Sequence, residues 1–174
     1  MTKTITIFGS SGTKENSGEW KTAYELGREL GRAGFAVING GYAGTMRAAA
    51  KGAKETGAKT YGITTAEFAG SKANEFIGEE FKAPKWHERL YELVRRGDGF
   101  VVLNGGTGTL VELMVVWEMA NKGFHQKPVV ILGNHVRQSV EALKQNPKVK
   151  IPKEFYFAET PQAAAEHLKK VLHD

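Results

Sequence analysis

The segment from Val101 to Glu112 carries the residues whose types and spacing point most clearly to chemistry. An apolar run ends in a glycine-rich turn, and a pattern typical of a helix follows at once. Backbone amides in such a turn bind phosphate, and the helix dipole favours an anion there. The carboxylate of Glu112, a few residues further on, could act on whatever the phosphate is attached to. The segment therefore predicts a site for a phosphorylated small molecule, with phosphate-binding residues Gly105, Gly106, Thr107, Gly108 and Thr109.

Glu112 also has a purely structural interpretation. The sequence from Thr109 to Glu112 fits the Ser/Thr-x-x-Glu capping box, in which the glutamate only closes the start of a helix. The residues that surround Glu112, from Leu110 to Trp117, are otherwise apolar. A helix that is apolar nearly all round is expected to be buried. Burial would raise the pKa of this carboxyl while the helix dipole would lower it.

Arg89 lies at the flank of the apolar stripe of a predicted helix that begins at Trp86. Its spacing favours a surface ion pair with Glu92, three residues on. The alternative is that its stem packs while its guanidinium reaches a site. Trp86 and Trp117 are predicted to be core or interface aromatics. The five histidines show no spacing typical of metal ligands, so we expect neither a metal nor a cofactor.

Strand and helix patterns alternate along the whole chain, which predicts a single α/β domain over residues 1–174. The alternation favours a parallel sheet with helices on both faces. The least regular segment, Thr64 to Pro84, is polar and is expected to be a functional loop. The predicted strands are Lys3 to Phe8, Phe35 to Ile38, Lys59 to Ile63, Gly99 to Leu103, Pro128 to Leu132 and a short one at Phe155 to Phe157. The predicted helices are Glu19 to Arg32, Thr45 to Glu55, Trp86 to Arg96, Thr109 to Lys122, Val136 to Gln145 and Pro161 to Leu172.

Three of the predicted strands end in glycine-rich loops, which should meet at one edge of the sheet. Ligands of such sheets bind beyond the carboxyl ends of the strands, near the point where strand order reverses. The first two loops could also be an ordinary turn and a close-packing contact. The third loop is not a Walker A motif, because no lysine follows its last glycine. The further predicted binding residues are Gly9, Ser10, Ser11, Gly40, Gly41, Gly44, Thr45 and Met46.

The composition is typical of a globular protein, with 41% hydrophobic and 25% charged residues. No apolar run approaches the roughly 18 residues of a membrane span, and the N-terminus lacks a signal-peptide pattern. Together with the absence of cysteine, this predicts a cytoplasmic protein without disulfides. The net charge of +5 favours anionic partners. Because the basic residues are scattered, a small anionic ligand is preferred over nucleic acid.

Several separated motifs carry a family resemblance. Asn104 to Glu112 matches Pro-Gly-Gly-x-Gly-Thr-x-x-Glu at every position but the first, where Asn104 replaces proline. His87 to Leu93 keeps the arginine of His-Glu-Arg-Lys-x-x-Met but has Leu90 and Leu93 for lysine and methionine. Further matches are Phe8-Gly9-Ser10-Ser11, Gly40-Gly41-x-x-Gly44-x-Met46, Trp117 and His125-x-Lys127-Pro128. In these motifs the chain resembles the LOG (Lonely Guy) family of cytokinin riboside 5′-monophosphate phosphoribohydrolases.

The resemblance implies a Rossmann-like three-layer sandwich and a homodimer or larger homo-oligomer. It implies that the glycine loop holds a 5′-phosphate and that Arg89 and Glu112 are the catalytic pair. The implied reaction is hydrolysis of the N-glycosidic bond of AMP or an N6-substituted AMP, giving free base and ribose 5-phosphate. The older family label, lysine decarboxylase, has no support, because no lysine stands in a recognisable cofactor-bearing context.

Two alternatives stay open within the same superfamily. A related branch, the molybdenum-cofactor carrier and nucleotide-binding proteins, shares the glycine loops and binds its ligand without known hydrolysis. Asn104 and Leu90, which depart from the LOG motifs, leave room for that interpretation. A DNA-processing relative is the third candidate, since the chain is basic.

Overall fold

A computed structural model describes residues 2–173, which form a seven-stranded sheet between two layers of helices. The strands are β1 (Thr4–Phe8), β2 (Ala36–Asn39), β3 (Thr60–Thr65), β4 (Glu79–Ala83), β5 (Gly99–Val102), β6 (Val129–Ile131) and β7 (Phe155–Phe157). The helices are α1 (Gly18–Arg32), α2 (Thr45–Glu55), α3 (Trp86–Arg96), α4 (Thr107–Asn121), α5 (Asn134–Leu143) and α6 (Pro161–His173). The predicted Rossmann-like α/β sandwich is confirmed.

The sheet is parallel throughout, in the order β4-β3-β2-β1-β5-β6-β7. The strand order reverses between β1 and β5, because the chain builds outward from β1 in one direction and then in the other. At such a point the loops after the two central strands diverge and leave a crevice for a ligand. The first and third glycine loops follow β1 and β5, so they border this crevice.

Side chains alternate along the central strands and divide the core into two clusters. On β5, for example, Val101 joins the cluster beneath α1, α2 and α6, while Phe100 and Val102 join the cluster beneath α3, α4 and α5. Both faces of a parallel sheet are covered in this way, so its strands read as continuous apolar runs. This explains why the sequence pattern located the central strands correctly.

The sequence predicted an irregular loop from Thr64 to Pro84, but this segment contains strand β4. β4 pairs with β3 and forms one edge of the sheet. Four of its five residues, Glu79 to Lys82, are exposed, and only Ala83 is buried. A charged, exposed edge strand shows no apolar alternation, so the pattern that identifies half-buried strands was absent.

Helix α4 is less buried than its apolar sequence predicted. Only four of its residues are buried: Thr109, Leu113, Val116 and Trp117. Val111 and Met114 are each 37% exposed and border an apolar groove of about 570 Å³ on the outer face. No helix within residues 2–173 is long and apolar enough to cross a membrane.

Replacing Gly27 by alanine should destabilise the fold, because α1 and α2 approach closely there. A Cβ built on Gly27 would lie 2.0 Å from the carbonyl oxygen of Ala49 in α2. Forced displacement of packed backbone costs about 1–3 kcal/mol, which exceeds the helix-propensity gain of about 1 kcal/mol. Urea unfolding should report this loss. The control is Gly18→Ala in the same helix, where a Cβ meets nothing within 4 Å; an equal loss in both variants would contradict the packing argument.

Candidate active site

A pocket of about 430 Å³ opens at the carboxyl edge of the sheet, over the crevice between β1 and β5. Its walls come from all three glycine loops, from the start of α3 and α4, and from the segment after β3. The lining residues are Gly9, Ser11, Tyr42, Ala43, Met46, Phe68, Ser71, Lys72, Trp86, Arg89, Leu90, Gly108, Thr109 and Glu112. The structure thus brings the two predicted catalytic residues, Arg89 and Glu112, into one pocket.

Glu112 is not part of a capping box. Helix α4 begins two residues earlier than predicted, with Gly106 at its N-cap and no side-chain cap. The hydroxyl of Thr109 donates instead to the carbonyl oxygen of Gly9, at 2.9 Å. Glu112 therefore lies in the second turn, where its carboxylate faces the pocket with only 14% of the side chain exposed.

The environment of Glu112 makes its carboxyl suited to proton transfer near neutral pH. Burial raises the pKa of Glu112 to about 7, against a smaller lowering effect of the Arg89 charge. A carboxyl with such a pKa exists in both protonation states near neutrality. That is the condition under which a general acid or base works best.

Arg89 is 7% exposed and held in one orientation by two backbone carbonyls. Its Nε donates to Ile63 O at 2.7 Å, and its Nη2 donates to Gly40 O at 3.2 Å. These bonds leave Nη1 directed at Glu112, with 4.0 Å between Nη1 and Oε1. Burial lowers the pKa of Arg89, but a guanidinium keeps its charge in proteins.

The surface pair between Arg89 and Glu92, which the spacing favoured, is wrong. Glu92 instead bonds Arg95 at 2.8 Å and Arg96 at 2.5 Å, both on the exposed side of α3. Arg89 points to the opposite side, where the ends of β2 and β3 supply its two carbonyl partners. The spacing could not distinguish these cases, because three arginines of α3 lie within reach of Glu92 along the helix.

The second glycine loop has a clear structural role around Arg89. A Cβ built on Gly40 would lie 1.9 Å from Arg89 Nη2, so only glycine admits the guanidinium. Gly44 has φ of +63°, and a Cβ built on it would lie 2.1 Å from Ser10 O. Glycine at this position therefore lets the first and second loops pack closely. Gly41, with φ of +80°, is likewise buried. Of the predicted binding residues in this loop, Met46 lines the pocket.

The first loop is tied to the second through Ser10, whose carbonyl accepts from Thr45 N and from the Thr45 hydroxyl. Gly9 and Ser11 line the pocket. A Cβ on Gly9 would lie 2.2 Å from Thr45 Oγ1, so Gly9 allows the loops to approach. Thr45 itself borders a neighbouring pocket of about 370 Å³ on the α1 side.

The third loop presents its amides at the exposed N-terminus of α4. Gly105, Gly106, Thr107 and Gly108 are all exposed, and Gly108 and Thr109 line the pocket. The arrangement offers the free amides and the dipole end on which the predicted phosphate site depends. Gly108, the last glycine of the loop, lies four residues before Glu112, which is about one turn of the helix.

Asn104, which replaces the proline of the LOG motif, faces away from Glu112 and into the neighbouring pocket. Its Oδ1 accepts from the backbone amides of His135 at 2.9 Å and Val136 at 3.3 Å, in the first turn of α5. Its Nδ2 donates to Glu19 at 3.0 Å. The side chain caps α5 from the end of β5, a role that proline could not fill.

Aromatic residues of the pocket were missed by the sequence interpretation. Tyr42 and Phe68 line it beside Arg89, and Trp86, predicted to be a core or interface residue, is 39% exposed at its mouth. The available signal was Phe68, one of three phenylalanines in a largely polar segment. Within residues 2–173, no three acidic or histidine side chains cluster in a way that could hold a metal ion.

Comparison with known proteins identifies the family. Residues 2–165 match the SLOG cluster4 family. The chain belongs to that family. This confirms the resemblance to LOG proteins that the motifs at Asn104 to Glu112 and around Arg89 predicted.

Two plant proteins are similar to this SLOG member over three quarters of its length. A rice protein (Oryza sativa subsp. japonica) named probable cytokinin riboside 5′-monophosphate phosphoribohydrolase LOGL9 is 35% identical over 130 residues, covering 74% of this chain and 57% of its own. Cytokinin riboside 5′-monophosphate phosphoribohydrolase LOG7 of Arabidopsis thaliana is 33% identical over 132 residues, covering 75% and 61%. The match thus spans little more than half the length of these relatives.

The fold is also that of a solved structure whose name gives a different role. The molybdenum cofactor binding protein from the phototrophic bacterium Rippkaea orientalis superposes with a TM-score of 0.80, covering 99% of this chain and 98% of its own. Its sequence identity is 22%, so the likeness is one of fold.

The raised pKa of Glu112 predicts a specific pH dependence of stability. The folded state holds the Glu112 proton more tightly than the unfolded chain, so unfolding releases it between about pH 4.5 and pH 7. The free energy of unfolding should therefore fall by about 3 kcal/mol across this window, relative to Glu112→Gln, and level off above pH 7. Urea unfolding of both proteins over pH 4–8 measures the difference, in which other titrations cancel. A difference that is constant or rises with pH would show that Glu112 is not desolvated.

Proposed function

We propose that the protein is a nucleoside 5′-monophosphate phosphoribohydrolase, which hydrolyses the N-glycosidic bond of AMP or an N6-substituted AMP. The observation that carries the proposal is the buried pair of Arg89 and Glu112, 4.0 Å apart, in a pocket that begins at the N-terminus of α4. The activity for which the plant relatives are named supports the same reaction.

The third glycine loop would bind the 5′-phosphate. The amides from Gly106 to Gly108 lie at the dipole end of α4, which attracts an anion. A phosphate held there positions the ribose near Glu112, one turn further along the helix. Because the phosphate takes no part in bond cleavage, its binding energy is available to orient the reacting sugar.

Glu112 would act on the sugar and on water. Cleavage passes through an oxocarbenium-like state, in which positive charge develops at ribose C1′. An ionised Glu112 stabilises that charge and accepts a proton from the attacking water. In the net reaction the water hydroxyl goes to C1′ and its proton goes to the departing base.

Arg89 would act as a positioning residue for Glu112 and stay fixed during the reaction. Two backbone carbonyls hold its guanidinium, so its charge is fixed beside the carboxylate before substrate arrives. That charge counteracts the desolvation of Glu112 and keeps a share of it ionised at neutral pH. A lysine could supply the charge but not the two directed hydrogen bonds.

Glu112→Gln should abolish release of free base from AMP and N6-isopentenyl-AMP while leaving nucleotide binding largely intact. The amide keeps the shape of the side chain but can neither accept a proton nor balance the charge at C1′. We expect a loss of at least 100-fold in kcat, on the order of general base effects. Chromatography of the free base measures turnover, and calorimetry measures binding.

The matched control is Glu141→Gln, an exposed glutamate of helix α5 paired with Lys144, which should keep full activity. Saturable nucleotide binding without any release of base by the wild-type protein would contradict the proposal. That outcome would favour the alternative, a non-hydrolytic nucleotide- or molybdenum-cofactor-binding carrier.

The partners we propose are a small phosphorylated nucleotide and a second copy of the chain, in a homodimer or larger homo-oligomer. The exposed face of α4 supports the second proposal, since it carries an apolar groove bordered by Leu110, Val111, Met114, Val115 and Met119. Contiguous apolar surface of this kind marks an interaction site on a globular protein.

A charge placed in the α4 groove should dissociate the proposed dimer. Met114→Glu puts a carboxylate at the centre of the apolar face, where burial without a partner is costly. Sedimentation velocity should show the wild type as a dimer and Met114→Glu as a monomer. Val171→Glu on α6, in the opposite helix layer and 46% exposed, is the control that should remain dimeric. A monomeric wild type at micromolar concentration would refute the proposal.

A further inference from the structure

Two large aromatic side chains stay exposed at the pocket although a fold normally covers such groups where it can. Phe68 is 40% exposed and Trp86 is 39% exposed, and both line the pocket with Arg89. Phe68 lies in the polar segment after β3, which the Arg89–Glu112 pair does not require. Its placement therefore calls for a separate explanation.

The segment that carries Phe68 is fixed at its start. The Glu67 carboxylate accepts a hydrogen bond from Trp86 N at 2.6 Å, at the first residue of α3. That bond lowers the pKa of Glu67, so the carboxylate stays ionised at the positive end of the helix. Ala66 N also donates to Ala83 O at 3.0 Å. The two residues before Phe68 are thus tied to the fold, Ala66 to β4 and Glu67 to α3.

The segment is fixed again at Asn74, on the other side of Phe68. Asn74 N and Nδ2 both donate to Gly41 O, at 2.8 and 3.1 Å, and Nδ2 also donates to Tyr42 O at 2.8 Å. Glu75 follows and pairs with Arg47 of α2 at 2.5 Å. The two anchors leave residues 68–73 as a short arch over the pocket.

The arch itself is a turn that presents the Phe68 ring. Ser71 N donates to Phe68 O at 3.1 Å, and Gly70 has φ of +74°, a conformation that glycine adopts without strain. Ser71 and Lys72 of the same turn also line the pocket. The turn is therefore a formed element of the pocket wall.

Fixed groups lie beside the Phe68 ring. The ring centroid lies 5.7 Å from that of Tyr42, tilted by 45°, and 5.8 Å from Arg89 Cζ. Tyr42 is held in turn by Thr65 N, which donates to its hydroxyl at 2.9 Å. A ring that has fixed neighbours and is exposed at a pocket can serve as a stacking surface for a planar ligand.

The groups that line the pocket correspond to the parts of a nucleotide. The phosphate loop lies about one helical turn before Glu112, and the rings of Tyr42 and Phe68 lie beside Arg89, 5.4 and 5.8 Å from its Cζ. On the basis of the proposed function, we propose that the arch of residues 68–73 is the base-selecting element, with Phe68 stacking on the nucleobase. Phe68 would be a specificity-determining residue that acts on the base and not on the sugar phosphate.

The test compares ligands with and without a base. In the Glu112→Gln background, calorimetry measures binding of AMP and of ribose 5-phosphate to Phe68→Ala, Phe68→Tyr and Phe81→Ala. Phe68→Ala should weaken AMP binding about tenfold, the usual effect of losing one stacked base, and change ribose 5-phosphate binding less than about twofold. Phe68→Tyr should restore AMP binding. Phe81, a phenylalanine of β4 that is 39% exposed and does not line the pocket, is the matched control and should leave both ligands unaffected.

Unchanged AMP binding in Phe68→Ala would overturn the proposal, as would equal weakening of both ligands or an equal loss in Phe81→Ala. Retained ribose 5-phosphate binding shows that the variant is folded. A parallel turnover assay on the wild type separates this proposal from the hydrolase proposal. Base-dependent binding without turnover refutes only the hydrolase, whereas turnover with a Phe68-independent AMP affinity refutes only the base-selecting role.

Discussion

The burial of the Arg89 guanidinium is the constraint on which the site depends. A buried charge is tolerated only when hydrogen bonds and a counter-charge replace its water. Here β3 supplies Ile63 O, the end of β2 supplies Gly40 O, and α4 supplies Glu112. Three elements must therefore converge on one side chain, two of them within hydrogen-bonding distance and α4 within 4.0 Å. The raised pKa of Glu112 follows from the same arrangement, because the carboxyl shares the burial but lies 4.0 Å from the compensating charge.

The strand-and-helix alternation was predictable because the strands are buried on both faces and their runs are continuously apolar. The pattern could not reveal β4, whose exposed charged residues resemble a loop, nor the exposed face of α4, whose residues resemble a core helix. In both cases position in the fold, edge or outer face, decided the burial. Local sequence carries no information about that position.

The site was predictable in part for a similar reason. The third glycine loop and Glu112 form one contiguous motif, so the sequence could predict their chemistry. The family resemblance pointed to Arg89, but the spacing did not, because its partners are main-chain carbonyls of Gly40, just after β2, and of Ile63, in the neighbouring strand β3. Every residue carries a backbone carbonyl, so the sequence does not show which carbonyls accept hydrogen bonds from a side chain. The one indirect trace is Gly40, where any side chain would collide with the guanidinium.

The two departures from the LOG motifs have different consequences in three dimensions. Asn104 points away from Glu112 and caps α5, so the loss of proline there alters the scaffold and leaves the chemistry of the pocket untouched. Leu90 lines the pocket beside Arg89, where the family motif has lysine. An apolar residue in place of a cation removes a charge from the side that the aromatic residues occupy. We therefore propose that this departure bears on which ligand is accepted and not on the Arg89–Glu112 pair, because Arg89 is held by backbone carbonyls that Leu90 does not supply.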